Sequence, residues 1–332
     1  MATGPLDLNS WEEAGRQGAH ARNASLEAAL KALNERLAQG RSCSAANPGS
    51  DLPIVFIVGC ARSGSTLLLQ WLASTGLFCY PTNIISRFYA DPYVGGLVHR
   101  VLHDLDDRGE VFPERREGST FCSVLGRAKG AVEPHDFGYF WRHHFTFGAT
   151  QAELQHRPDA AGEQRLVEDL RGLRAVFGRP LVMKALQMDW HLDILARLFP
   201  EAVFLHTERD PHDNALSLLK ARRDYFGDEQ HWYSFKPAEH AAIKDLPPME
   251  QCLAQVHLTN AAVRASLARC EGARILKAGY EELCRTPAML FDRLIGELGM
   301  EAPYQGPEHF PYSTDEDPDA RGRSERFLAT LR

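Results

Sequence analysis

Ile54-Val55-Phe56-Ile57-Val58-Gly59-Cys60-Ala61-Arg62-Ser63-Gly64-Ser65-Thr66 decides how the rest of this chain is read. The run of five apolar residues, four of them β-branched, predicts a strand buried on both faces. Small and hydroxylated residues follow without a break, and Leu67 to Ser74 continues as an apolar helix. A strand–turn–helix junction of this kind aims backbone N–H groups and a helix N-terminus at one point. That point favours a phosphate or sulfate group.

The spacing is close to that of a phosphate-binding loop, Gly-x-x-x-x-Gly-Lys-Ser/Thr. Ser65 stands at the lysine position, and the positive charge lies three residues earlier, at Arg62. Kinases and NTPases place the loop lysine on the terminal phosphates and a Ser/Thr on Mg²⁺. This chain lacks that lysine. It also lacks an apolar strand ending in a metal-holding Asp; Asp210 comes nearest, but it follows Arg209. The alternative is a strand-turn-helix junction that serves packing alone.

Beyond the loop, Pro180 to Lys184, Ala202 to Thr207 and Arg274 to Lys277 read as strands. Helices are expected at about Asp189–Phe199, Pro211–Tyr225, Met249–Cys270 and Pro287–Leu298, the last stopped by Gly299. Apolar strands alternating with helices imply a parallel sheet covered on both faces, with ligands beyond the strands' carboxyl ends. Arg62, Lys184 and Arg209 all fall at or just past such ends. An N-terminal helix from Trp11 to Leu37 carries Leu26, Leu30, Leu33 and Leu37 on one face, and a Ser/Ala/Asn/Gly linker follows it. Tyr80 to Arg179 is less regular, and is read as helical and loop insertions around a substrate opening.

Composition narrows the class. The chain has 332 residues, and a net charge of -7 argues against a general nucleic-acid binder, so an anion site must be a local cluster of Arg and Lys. Seven scattered cysteines with no Cys-x-x-Cys pair fit reduced thiols rather than a disulfide framework or zinc site. The sequence shows no apolar run long enough to span a membrane and no signal-peptide pattern, which points to the cytoplasm.

A second motif is Glu208-Arg209-Asp210-Pro211, with Ser217 eight residues past Arg209 in the next helix. Asp210 can cap that helix; alternatively, Arg209 pairs with Asp210 or Asp213 as surface charge. Together the motifs resemble the sulfotransferases that use 3′-phosphoadenosine 5′-phosphosulfate (PAPS). Ala61-Arg62-Ser63-Gly64-Ser65-Thr66 is similar to their 5′-phosphosulfate loop, in the branch with a loop Arg. Arg209 and Ser217 match their 3′-phosphate pair. Met183-Lys184-Ala185-Leu186 and Tyr280-Glu281-Glu282-Leu283 match two further elements in the same order. The resemblance covers about Ile54–Thr75 and Leu181–Leu298.

The resemblance implies roles. Arg62, Ser63, Gly64, Ser65 and Thr66 would hold the 5′-phosphosulfate. Arg209 and Ser217 would hold the 3′-phosphate, joined by Arg321 or Arg323 unless these form a frayed tail, and Tyr280 would lie against the nucleotide. No metal is implied. Arg62 and Lys184 are the candidates for stabilising charge on the transferring group, with an exposed strand-end lysine as the plain alternative for Lys184. The acceptor's proton needs a base. Relatives place a His two residues after the strand lysine, where this chain has Leu186, or a Glu after the first helix, where it has Asn83. Asp91, Asp189, His191 and His143-His144 remain, and His191, opening the helix after Lys184, is the first choice.

The expectation is therefore an α/β protein, a parallel sheet flanked by helices in the P-loop NTPase-like sulfotransferase fold. Residues 1–50 would form a helical segment and linker. Residues 51–332 would form one domain with an acceptor-side insertion at about 80–180. The expected reaction is sulfonate transfer from PAPS to a hydroxyl of a small-molecule, carbohydrate or lipid acceptor. The rivals are a P-loop small-molecule kinase and a nucleotide-binding protein without catalysis. The aromatics Phe88-Tyr89, Tyr139-Phe140-Trp141 and Trp232-Tyr233 are either acceptor contacts or core.

Overall fold

The computed structural model describes residues 23–40, 52–112, 121–124, 126–312 and 314–331. Its centre is a four-stranded parallel sheet of β1 (Ile54–Val58), β6 (Leu181–Lys184), β7 (Val203–Glu208) and β8 (Arg274–Gly279), in the order β6-β1-β7-β8. Two short antiparallel ribbons stand outside it: β2 (Ser123–Val124) with β3 (Arg127–Ala128), and β4 (Thr146–Phe147) with β5 (Leu154–His156).

Strand β1 is buried along its whole length, because its alternate residues serve different cores. Val55 and Ile57 join Leu68 and Leu72 of α2 (Ser65–Ser74) and Leu290 and Leu294 of α11 (Pro287–Glu297). Ile54, Phe56 and Val58 join Trp141 of α4 (Gly138–His144), Leu166 and Leu170 of α5 (Ala160–Phe177), and Leu195 of α6 (Leu192–Leu198). Burying each such side chain contributes about 1.5–3 kcal/mol. The continuous apolar run is thus what a strand covered on both faces requires.

The register aligns the strands' carboxyl ends: Ile57 lies beside Lys184, Val58 beside His206, and Glu208 beside Gly279. From those ends lead the loop before α2, α7 (Pro211–Phe226), and α10 (Tyr280–Arg285). The remaining helices are α1 (Ala24–Gly40), α3 (Pro92–His99), α8 (His240–Ile243), α9 (Pro248–Ala268) and α12 (Pro318–Thr330).

Three expectations are corrected. The basic C-terminal segment is not frayed but forms α12, started by Pro318 and capped by Asp317. The region after Tyr80 does not only surround an opening: α5 within it covers one sheet face, with Leu166, Leu170 and Leu173 fully buried. In α1, Leu30 and Asn34 are buried while Leu26 and Leu33 are exposed, because α1 docks through Asn34. The Asn34 amide donates to the Arg87 carbonyl and accepts from the Ala90 N–H. The expected start of that helix, Trp11 to Arg22, and the linker from 41 to 51 lie outside the described residues. No helix among the described residues is long and apolar enough to cross a membrane.

Candidate active site

The loop after β1 turns tightly. Gly59 has φ +133°, and a Cβ there would lie 2.4 Å from the Thr207 carbonyl oxygen. Arg62 adopts φ 66° and Gly64 φ 96°. Arg62 is thus held in a left-handed conformation that non-glycine residues adopt at a cost, typically where the surroundings impose it. Ser63 is buried and its hydroxyl lies 2.6 Å from the Thr207 hydroxyl, which ties the loop to β7. The Gly59 N–H donates to Asp189 Oδ1 beneath the loop.

A continuous chain of contacts joins the residues singled out in the sequence. Arg62 Nε donates to Ser217 Oγ at 3.2 Å, placing α7 beside the loop. Tyr280 covers Gly64 so closely that a Cβ there would come within 2.3 Å of its ring. The Arg209 guanidinium lies over the other side of this assembly, 4.5 Å from the Tyr280 ring centroid. Burial pushes the Tyr280 phenol up to about 12, so it stays neutral. Lys184 is buried, and its Nζ donates to Thr66 Oγ1 at 2.7 Å. The exposed-lysine alternative is therefore excluded.

Arg209 does not pair with Asp210 or Asp213 as surface charge. Those carboxylates bind Arg321, whose NH1 donates to Asp210 and whose NH2 donates to both oxygens of Asp213 at 2.9 Å. Asp210 also caps α7 by accepting from the Asp213 N–H. Arg209 Nε is buried with no hydrogen-bond partner among the described residues, as suits a donor kept for an anion. Arg321 is instead an internal strut between α12 and α7, and Arg323 is exposed on α12.

His191 is placed differently from the rest. Its Nε2 lies 2.9 Å from the Gln151 carbonyl oxygen, and burial holds its imidazole below the usual histidine range. It does not line the cavity that contains Arg62, Thr66 and Lys184. Asp189 is fully buried under the loop, and burial raises its carboxyl well above the usual range. Asp91 is the cap of α3. His144 is buried with Nε2 3.1 Å from Asp169 Oδ2, so it belongs to the core rather than to the surface. Asn83 spends its amide on the Ala128 and Gly130 carbonyls.

The residue that the sequence reading missed is Asp136. Its Oδ1 lies 2.5 Å from Lys184 Nζ, on the same cavity wall as Thr66. Its side chain is half exposed; desolvation within the cavity pushes its carboxyl up, but the Lys184 ammonium beside it overrides this and holds it below its ordinary value. The neighbouring His135 is lowered to about 4, first by burial, and so is neutral at physiological pH. The only local hint was an acid–imidazole pair, His135-Asp136, between Pro134 and Gly138.

The cavity has a volume of about 1170 Å³ and opens beside the loop. Phe88, Tyr139, Trp141, Trp232 and Tyr233 line it, Trp141 and Trp232 while buried in the core, and Tyr89 and Phe140 are core without lining it. A second cavity of about 320 Å³ is lined by Arg209, Asp210, Gly279 and Glu281.

Residues 53–304 match the model of the sulfotransferase family. The solved sulfotransferase STF1 from Mycobacterium tuberculosis superposes with a TM-score of 0.50 at 14% identity, covering 95% of this chain and 82% of that one. STF9 from Mycobacterium avium gives 0.47 at 13% identity, covering 94% and 74%. A sulfotransferase from Alicyclobacillus acidocaldarius gives 0.43 at 20% identity, covering 84% and 92%. No curated protein sequence matches the chain. With a loop that has Ser65 at the phosphate-loop lysine position and its cation at Arg62, an α/β sheet that gathers Lys184, Arg209 and Ser217 around it, and a family match over most of its length, the chain belongs to the sulfotransferase family.

Proposed function

We propose that this sulfotransferase moves a sulfonate from PAPS to a hydroxyl of a small-molecule, carbohydrate or lipid acceptor, with Asp136 rather than His191 as the base. The observation that carries this reading is Lys184 Nζ, held between Thr66 Oγ1 of the loop and Asp136 Oδ1. One cation thus touches both the donor-binding loop and a carboxylate that faces the cavity.

In this reading the backbone from Arg62 to Thr66 and the Arg62 guanidinium hold the 5′-phosphosulfate. Arg209 and Ser217 hold the 3′-phosphate, and Tyr280 packs against the nucleotide. The acceptor oxygen forms a bond to sulfur as the bond from sulfur to the phosphate oxygen breaks, and the acceptor's proton passes to Asp136. Charge grows on the departing oxygen, where Lys184 is placed to neutralise it; fixed charges of this kind are usually the largest catalytic contribution. Residues 51–332 form the catalytic unit, and the earlier helical segment borders its cavity through Leu26 and Leu30.

Thermal unfolding in the presence of 3′,5′-adenosine bisphosphate, set beside ATP with Mg²⁺, tests the proposal. The bisphosphate should raise the unfolding temperature by mass action. No shift with the bisphosphate overturns the proposal, and a larger shift with ATP and Mg²⁺ overturns it in favour of the kinase reading. Turnover of PAPS then separates an enzyme from a nucleotide binder without catalysis.

A further inference from the structure

We infer that His99, His103 and Asp104 form a binding site for a divalent transition metal, zinc foremost, outside the transfer site. Among the described residues they are the one group of three His, Cys, Asp or Glu side chains whose ligand atoms gather within 4.8 Å of one another. None of the three lines either cavity, so the ion would take no part in transfer. Two imidazoles and a carboxylate suit zinc and its first-row neighbours, whereas Mg²⁺ and Ca²⁺ prefer oxygen donors alone.

The backbone builds the cluster. Helix α3 ends at His99 and continues as a π-helical turn, Arg100–Asp104, in which the Leu105 N–H donates to the Arg100 carbonyl at 2.8 Å. In an α-helix the fourth residue on would lie over His99 and the fifth would not. The wider π turn sets His103 and Asp104 on either side of it. Such turns are rare and recur at functional sites.

The spacing is already that of ligands on one ion. Asp104 Oδ1 lies 3.3 Å from His99 Nε2 and 2.9 Å from His103 Nδ1. Ligands on a tetrahedral zinc, with bonds of about 2.0–2.1 Å, stand about 3.3 Å apart. The two rings are neighbours, with centroids 5.4 Å apart. The His103 ring offers either nitrogen: Nδ1 faces Asp104, and Nε2 is buried with no hydrogen-bond partner among the described residues. An orphaned buried nitrogen is itself a sign of an ion or a water. A carboxylate has two oxygens, so ligation by Oδ1 is compatible with further contacts at Oδ2. The Asp104 side chain is 36% exposed, which gives an entering ion a path.

The surroundings give the ion a task. His99 Nδ1 lies 3.1 Å from Thr82 Oγ1, an outer partner that fixes the ring with Nε2 toward the ion. Thr82 pairs with Pro134, the Asn83 N–H donates to the Glu133 carbonyl at 3.0 Å, and the His135 N–H donates to the Pro81 carbonyl at 2.8 Å. A metal on His99 therefore braces the strip that leads into Asp136.

The test is titration of the tag-free, chelator-treated protein with Zn²⁺ against a chromophoric chelator, with Co²⁺ as a spectroscopic stand-in. One zinc should bind per chain, and Zn²⁺ but not Mg²⁺ should raise the unfolding temperature. Asp104→Asn and His103→Ala should each weaken zinc by about 100-fold or more, at least what loss of an outer partner costs. The bound cobalt should show visible bands without a thiolate-to-cobalt band, which sets this site apart from the free cysteines. With zinc bound, the Asn83 and His135 amides should exchange hydrogen more slowly, and unchanged exchange overturns the bracing. If no zinc binds, if both variants bind it as well as the wild type, or if the thiolate band appears, the site itself is overturned. Should His103→Ala fail to fold, Asp104→Asn decides.

Discussion

Lys184 Nζ lies 2.5 Å from Asp136 Oδ1, with Thr66 Oγ1 as its second partner at 2.7 Å. The pair links β6 to a loop that precedes it by 48 residues. It sets a carboxylate beside the Thr66 end of the loop, on the cavity's lining.

Asp136→Asn should lower kcat by about 10²–10⁴-fold, the usual contribution of a general base. The thermal shift with 3′,5′-adenosine bisphosphate should persist. His191→Ala should change kcat by no more than about threefold, since its ring meets Gln151 rather than the cavity. A large loss from His191→Ala together with an active Asp136→Asn reverses the assignment.

The pH profile follows from the sign of the Asp136 shift. Lys184 holds the carboxyl below its ordinary value of 3.8, so it is already ionised across the neutral range. The kcat/KM, which reports free-enzyme groups, should therefore show no acidic limb between about pH 5 and 8. A limb centred near the ordinary histidine range would assign the base to an imidazole instead.

Asp189→Asn should leave activity largely intact and raise stability at neutral pH. Burial lifts the folded-state carboxyl well above the unfolded value of 3.8, so the native protein binds the extra proton. In that window stability falls as pH rises, because the native state holds more protons than the unfolded state. An amide keeps the acceptor for the Gly59 N–H and removes this dependence. Denaturant midpoints at pH 5 and pH 8 check it: the wild type should lose more stability over that interval than the variant does.

Gly64→Ala should destabilise the protein by about 1–3 kcal/mol from backbone strain alone, because its φ is +96°. The new methyl would also strike the Tyr280 ring. In a Tyr280→Ala background the collision disappears and the backbone strain remains. A double-mutant cycle should therefore show Gly64→Ala costing less there, though still more than zero.

Arg321→Ala should cost about 1.5–3 kcal/mol, since it strips charged hydrogen bonds from the buried Asp213 and from Asp210. The bisphosphate-induced shift in Tm should survive, as expected for a strut between α12 and α7. Arg323→Ala should leave the unfolding temperature of the free protein unchanged. Abolition of the shift by Arg321→Ala, with little change in the free protein, would place Arg321 on the nucleotide.

Much of the fold was legible because the relevant forces are local. An apolar run such as Ile54–Val58 has few stable fates other than a covered strand, and Pro211 and Gly299 mark where helices begin and end. Arg209 and Ser217 were readable together because they lie on one strand–helix unit. The helices α5 and α12 were missed. Both are strongly charged along their outer faces, and their apolar residues make sense only against partners remote in sequence, such as β1 for α5 and α9 for α12.

By itself, the sequence determined the sheet, the loop that Arg62 marks as something other than a kinase's, and the residues standing at the strands' carboxyl ends. Backbone propensity and burial act over a few residues, and they suffice for that. Only the tertiary structure decided which carboxylate meets Lys184, that Arg321 braces α7, and that Arg87 and Arg127 line one cavity. Such partnerships join segments 48 to 111 residues apart (Lys184 and Asp136; Arg321 and Asp210). They exist only once the sheet has brought the connecting loops into one crevice.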